Sequence, residues 1–392
     1  MLIKRLEVKG FKSLKDVVWE PGPLTILIGP NGSGKTNLLL SISLLQSIAS
    51  GHLEKFVYTH GGITQIAWDG LSPFLEINTT IEFNIFESLS NIHYSLQMAT
   101  HPLRFRILRE VCVEEHFETS DQKTIHDVLI QRIPGEYKIS DHDGLEDVSQ
   151  QALNIHESLL SIVSTPYHSN SSLYMLSTSI LRSTIYSNIN VDRQDTIRKP
   201  QVVRYNKSLD SDGQNLVNVL HTLYSENRDF ENDINTAMRA AFGDDFGRLV
   251  FPPAADQLVQ LRIRWKSLKR EQSMLDLSDG TIRFLFLMTV LCNPEPPSLI
   301  AIDEPETGLH PSMFPIIAEY AAEASKRTQV IFSTHSPQFL DAFGEYNPTT
   351  TVTVRKDGET KIKNLDGDTL KQWLEHYSLG TLFLSGDLEA LA

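Results

Sequence analysis

The stretch Leu24–Leu40, LTILIGPNGSGKTNLLL, constrains this chain more than any other. An apolar run leads into a glycine-rich loop and then into a helix-forming run, and the loop fits GxxxxGK[ST] at Gly29, Gly34, Lys35 and Thr36. Gly29, Gly32 and Gly34 open backbone conformations closed to other residues, so the N–H groups of the loop, Asn31 and Ser33 included, can turn inward onto the phosphates of a nucleotide. The following helix adds unpaired N–H groups and a positive dipole end. Lys35 is expected to reach the β- and γ-phosphates, and Thr36 to place its hydroxyl on Mg²⁺.

With 392 residues the chain has room for two or three domains, or one large one with insertions. Hydrophobic residues make up 41% and charged residues 21%, which suits a globular protein with a large core and excludes general disorder. Asp and Glu number 49 against 35 Lys and Arg, so any nucleic-acid contact has to be a local patch. Cys112 and Cys292 are far apart and belong to no CxxC or Cys/His cluster; they read as buried small residues in a reducing cytoplasm. The opening MLIKRLEVKGF has no long apolar region and no cleavage site, so no signal peptide is expected. The longest apolar run, Phe284–Cys292, is too short to span a bilayer, so no membrane contact is expected.

Residues 2–20 alternate apolar and charged, predicting a hairpin ahead of the phosphate loop. Asn37–Ala49 reads as the helix after it. Phe74–Phe86, Ile92–Met98 and Phe105–Phe117 read as strands of an antiparallel sheet. Helical periodicity then marks Leu153–Val163, Leu173–Tyr186, Asn215–Glu226 and Phe230–Ala241, with Gly243 as a stop. Leu258–Trp265 reads as one strand, Ile282–Leu291 as an apolar helix, and Leu299–Ile302 and Gln329–Phe332 as buried parallel strands. Two more strands, near Thr350–Val354 and Thr360–Ile362, and a helix at Leu370–His376 complete the reading. The expected division is 1–117, an N-terminal lobe with the phosphate loop; 118–254, a mostly helical insertion; and 255–392, a C-terminal lobe.

The segment 275–337 says what the nucleotide is for. Leu299–Asp303 followed by Glu304 is an apolar strand ending in two carboxylates: Asp303 suits a water-mediated Mg²⁺ contact, and Glu304 suits orienting the attacking water. His335, in STHSP, follows the next apolar strand, where the ligand crevice of an α/β sheet lies, and could sense the γ-phosphate. LSDGT at Leu277–Thr281 precedes the apolar helix, so Ser278 and the N–H groups at that helix start make a second anion site. One chain can hardly bring that site and the phosphate loop to the same nucleotide; a second molecule would have to supply it.

GPNGSGKT, LSDG, LIAIDEPETGLH and STHSP, in that order, resemble the Walker A, signature, Walker B with D-loop, and switch histidine of ABC-type ATPases. GFKSLKD before the phosphate loop and EPETGLHP after the carboxylates resemble the RecF/SMC-like branch, which includes ATPases of anti-phage systems. The resemblance covers roughly 1–110 and 255–392 and implies an α/β P-loop ATPase head, a mixed sheet with an antiparallel N-terminal lobe, that closes as a homodimer over ATP and Mg²⁺. In such a sandwich Ser278 and Gly280 of one chain touch the γ-phosphate held by the other. The resemblance also implies that Lys12 helps hold the nucleotide, that Gln65 is the Q-loop residue near the metal, and that Gly308, Leu309 and His310 form the D-loop. Asp279 departs from the family pattern, where glycine is usual. An acid there would repel a triphosphate unless its side chain points outward, and would weaken or slow closure.

These expectations favour a nucleotide-driven switch coupled to a separate effector protein, a nuclease among the candidates, in a DNA-directed or anti-phage defence complex. The alternative is a DNA-binding, repair-type ATPase without a dedicated effector, its contact being the basic run Arg262, Arg264, Lys266, Lys269 and Arg270. A self-contained nuclease would need a TOPRIM-like acidic cluster, and Asp366 and Asp368 read as a turn instead. A transporter subunit conflicts with EPETGLHP.

Overall fold

The alternation of residues 2–20 becomes β1 (Leu2–Phe11) and β2 (Leu14–Trp19), an antiparallel hairpin with Val8 opposite Val17 and Phe11 opposite Leu14. The computed structural model describes all residues except 71, 86–87, 102–103, 119–122, 142–143, 149–155, 164–169, 256, 366–378 and 387–392. Asp366, Asp368, the helix expected at Leu370–His376 and the start of the one at Leu153–Val163 therefore lie outside the described residues. The chain divides into two units, Met1–Ser183 with Thr349–Thr369 and Asp387–Ala392, and Thr184–Pro348 with Leu370–Gly386.

In the first unit β3 (Leu24–Ile28) is buried at every position and leads to α1 (Lys35–Ala49), α2 (Leu53–Thr59) and α3 (Ile63–Ile66). There follow β4 (Phe74–Ile85), β5 (Ser88–His101), β6 (Arg104–Glu118), β7 (Lys123–Ile133), β8 (Glu136–Asp141) and β9 (Gly144–Asp147). They join the hairpin in an antiparallel sheet of order β2-β1-β4-β5-β6-β7-β8-β9. Alternate residues such as Leu75, Ile77, Ile92, Tyr94 and Leu96 are buried, so one face of the sheet makes the core. The segment 118–254 therefore begins with strands, where helices and spacers were expected.

Two helices, α4 (Leu159–Val163) and α5 (Ser171–Leu181), pack with α1. The buried carboxylate of Glu110 accepts from the N–H groups of Leu159 (2.7 Å) and Leu160 (2.9 Å) and from the Tyr94 hydroxyl (2.9 Å), so an acid on the sheet caps the start of α4. Burial still raises its pKa.

The second unit opens with β10 (Thr184–Tyr186), β11 (Gln201–Val202), α6 (Leu216–Glu226) and α7 (Arg228–Phe242), the last stopped at Gly243 with φ 78°. Next come β12 (Phe246–Val250), β13 (Pro253–Ala255), β14 (Leu258–Val259), β15 (Arg262–Trp265) and β16 (Gln272–Ser273), which form the small sheets β11-β14-β13 and β12-β15-β16. α8 (Asp279–Leu291), β17 (Leu299–Asp303), α9 (Phe314–Ala324), β18 (Gln329–Thr334) and α10 (Pro337–Asp341) follow. Strands β10, β17 and β18 run parallel, with Ile300 beside both Thr184 and Val330.

Because α8 is apolar nearly all round, it is buried between α6, α7 and α9. Tyr186 meets Phe286 of α8 edge-on at 5.2 Å. At Gly213, φ 68°, a Cβ would come within 2.8 Å of the same ring, so this turn accepts only glycine.

The chain then returns to the first unit as β19 (Thr349–Lys356) and β20 (Glu359–Asn364). β19 runs parallel to β3 and antiparallel to β20. Trp19 Nε1 donates to Thr351 Oγ1 at 3.1 Å, tying the N-terminal hairpin to this return.

Candidate functional site

In the first unit the phosphate loop joins β3 to α1. Gly32 and Gly34 take φ 77° and 110°, as the glycine spacing requires, and a Cβ on Gly32 would meet nothing within 4 Å. Gly34 caps α1 without a side-chain hydrogen bond, and no acid lies in the first turn, so the helix presents its N–H groups and dipole to an anion. Lys35 is 6% exposed; its Nζ donates to the carbonyls of Gly29 (2.6 Å) and Pro30 (3.1 Å), which holds the ammonium across the mouth of the loop. Asn31 and Thr36 are exposed, while Ser33 is buried and its Oγ lies 2.6 Å from Thr353 Oγ1.

Two residues the sequence did not single out brace the loop from β19 and β20. Thr353 Oγ1 donates to Ile28 O (3.2 Å) and Thr360 Oγ1 to Ser33 O (2.8 Å). Ser13 lies 2.7 Å from Thr360 Oγ1 and accepts from Asn37 Nδ2 at 2.8 Å, so the β1–β2 turn that carries Lys12 sits against the loop. Lys12 itself has φ 48°, and its N–H donates to Ile66 O at 2.7 Å, drawing in α3, on which Gln65 is exposed. The structure thus brings the turns of Lys12 and Gln65 together.

In the second unit Asp303 ends β17 and Glu304 follows with φ 49°, a left-handed backbone that a carboxylate residue rarely takes. Glu304 N–H donates to Ser333 O at 3.0 Å, and Ser333 Oγ bonds Asp303 Oδ1. His335, just past β18, places Nδ1 3.0 Å from Glu304 Oε1 and 3.9 Å from Glu306 Oε1. Glu304 also borders a cavity of about 180 Å³, with Asp303, Thr307, Arg283, Ser187 and Asn188 in its lining. Asp303, Glu304 and His335 therefore stand together at the ends of two adjacent parallel strands.

Glu306 was not among the expected site residues. Thr334 Oγ1 donates to its Oε1, the His335 N–H reaches the same oxygen at 3.4 Å, and Oε2 is buried with no hydrogen-bond partner. Burial raises its carboxyl, only partly offset by those donors. With its pKa higher folded than unfolded, Glu306 contributes most below the ordinary carboxylate range, and that contribution is lost as pH rises through the raised value. Glu306→Gln is expected to flatten the decline in stability from mildly acidic to neutral pH, read from urea midpoints; an unchanged slope would contradict the assignment.

Ser278 caps α8: its Oγ accepts from Thr281 N at 3.1 Å and lies 2.7 Å from Thr281 Oγ1. It and Asp279 are exposed. Gly280 packs so closely on the backbone at Gly308 that a Cβ there would lie 2.7 Å from Gly308 O. The acid expected to face a triphosphate is paired: Asp279 Oδ1 bonds the guanidinium of buried Arg198. Of the basic run, Arg264 pairs with Glu271 at 3.6 Å, and Lys266, Lys269 and Arg270 are exposed.

A metal that binds between a hydroxyl, a single carboxylate and phosphate oxygens needs no dedicated protein cage, which is the usual manner of Mg²⁺. Thr36 carries a hydroxyl of that kind in the first unit and Asp303 a carboxylate of that kind in the second, and among the described residues no group of three or more His, Cys, Asp or Glu forms a cage of its own. Nor, among them, is any helix long and apolar enough to cross a membrane.

Residues 24–341 match the family profile described as "AAA domain, putative AbiEii toxin, Type IV TA system". The chain is similar to a curated OLD nuclease of Thermus scotoductus, 22% identical over 362 residues; the match takes in 87% of this chain and 60% of the relative's length. Among solved structures it resembles an SMC head bound to the C-terminal winged-helix domain of ScpA, with TM-score 0.54, 16% identity and coverage of 95% of this chain and 100% of that one. It also resembles an SMC head with an extended coiled coil from Pyrococcus furiosus, bound to the C-terminal domain of ScpA, with TM-score 0.51, 13% identity and coverage of 95% and 98%. The fold is that of an SMC-type ATPase head.

Proposed function

We propose that this chain, which belongs to the AAA-domain family just described, is an ATP-hydrolysing dimeric switch in a DNA-directed or anti-phage defence complex whose effector is a separate protein. The observation that carries the hydrolytic part is the pairing of Glu304 Oε1 with His335 Nδ1 at 3.0 Å, at the ends of two adjacent parallel strands.

The loop N–H groups and Lys35 hold the phosphates, with Lys12 beside them. Thr36 and Asp303 would hold Mg²⁺, which supplies charge neutralisation on the phosphate oxygens when bound; Gln65 is proposed nearby. Glu304 orients a water and takes its proton as the bond to the γ-phosphate breaks. His335, with its proton on Nδ1, donates to Glu304 and fixes the carboxylate. The partner's Ser278 and the N–H of the partner's Gly280 complete the phosphate shell, so binding closes the dimer and hydrolysis opens it.

Two chains per site make turnover depend on association. Specific ATPase activity is expected to rise with protein concentration until the dimer saturates. Activity per chain that stays constant from dilute to concentrated protein would contradict the shared site, and absence of Mg²⁺-dependent turnover would contradict the ATPase itself. DNA contact is proposed at Lys266, Lys269 and Arg270, which are exposed.

A further inference from the structure

Arg198 is almost wholly buried, its side chain 2% exposed, and it forms a salt bridge with Asp279. Its Nε donates to Val191 O (2.6 Å), one terminal nitrogen donates to Met274 O (3.0 Å) and Leu277 O (2.8 Å), and the other bonds Asp279 Oδ1. The guanidinium therefore grips the chain on both sides of Ser278, at Leu277 and at Asp279. Val191 anchors the same fork to the segment before α6. A lysine offers three donors from one point and cannot span these partners as a planar fork does.

We propose that Arg198 is the positioning residue of the half-site each chain offers its partner, setting Ser278 and the first turn of α8, with Asp279 as its counter-charge. This rests on the ATP-sandwich reading above. Paired in this way, Asp279 adds little net negative charge in front of a phosphate. Its carboxylate serves as a fourth anchor point for the guanidinium, after the three carbonyls. The consequence is a division of labour between chains: Arg198 acts on the nucleotide held by the partner.

Arg198→Lys is expected to bind ATP as the parent does and to lose turnover roughly tenfold or more, since small displacements of positioned groups carry such costs. The decisive test mixes full-length chains. Lys35→Ala lacks a working phosphate loop but offers an intact half-site, and Arg198→Lys is the reverse. Their mixed dimer contains one intact composite site, so the mixture is expected to regain activity well above the sum of the two alone.

Lys35→Ala mixed with Ser278→Arg tests the sandwich itself. Recovery in that control without recovery in the Arg198 mixture would overturn the role of Arg198 alone; failure of both mixtures would overturn the sandwich and this inference with it. Should Arg198→Lys lose cooperative unfolding, Asp279→Asn carries the test from an exposed position. It is expected to lower turnover, with recovery on mixing with Lys35→Ala, whereas faster turnover would show an acid that repels the phosphate and overturn the proposal.

Discussion

Glu304→Gln is expected to bind ATP with unchanged affinity and hydrolyse it roughly a hundred to ten thousand times more slowly, the range a general base contributes. The substitution isolates one property. The amide has the shape of the carboxylate, and its oxygen can still accept from His335 Nδ1, which lies 3.0 Å from Glu304 Oε1. The left-handed backbone at φ 49° and the N–H bond to Ser333 O are untouched. What disappears is the capacity to take a proton from water. None of the groups proposed to hold the phosphates is altered, so a nucleotide titration should not distinguish variant from parent. Single-turnover hydrolysis at the parent rate would remove Glu304 from its role.

Lys35→Ala is expected to lower ATP affinity roughly a hundredfold, about 2.7 kcal/mol, the scale of a charge-assisted contact to phosphate in a partly dry site. Lys35 is 6% exposed and already spans the loop through Gly29 O and Pro30 O. Its replacement removes the cation and leaves those carbonyls to water, while the braces at Thr353 and Thr360 keep the loop in shape. Titration with a fluorescent ATP analogue checks the expectation, with the urea midpoint as a control for folding. Affinity equal to the parent's would detach this loop from the nucleotide.

The parts of the molecule legible in the sequence are those whose chemistry is local. Gly32 and Gly34 lie within a few residues of the apolar run Leu24–Ile28, and Glu304 directly follows the apolar run Leu299–Asp303, and the structure forms both runs as strands. Long-range partners are different. Thr353 and Thr360 reach the phosphate loop from over 300 residues away, and nothing in TVTVRKDGET marks either as a brace.

Strand β7 was missed because a bulge opposite Cys112 and Val113 sets Val128, Leu129 and Ile130 in one apolar run, and the period of two is lost. Leu173–Tyr186 reads as one helix since neither Gly nor Pro interrupts it. The chain instead leaves the helix at Arg182, and Thr184–Tyr186 pairs with β17. Leu258–Trp265 looks continuous but serves two sheets, with Gln260 N–H turned to Pro252 O between β14 and β15.

Asp279 shows what spacing alone conceals. In LSDGT an acid stands between the two residues proposed to touch phosphate, and Coulomb's law makes it a liability. Arg198 pairs it from 81 residues upstream, so the charge is spent inside the chain.

The central claim is that one chain completes the site of another. The most direct measurement is the mass in solution of Glu304→Gln with Mg²⁺, by sedimentation velocity, with ATP and without it. A shift from monomer to dimer is expected on adding ATP, abolished by adding Ser278→Arg to the same chain. A mass that is the same with and without ATP, or a dimer that survives Ser278→Arg, would contradict it.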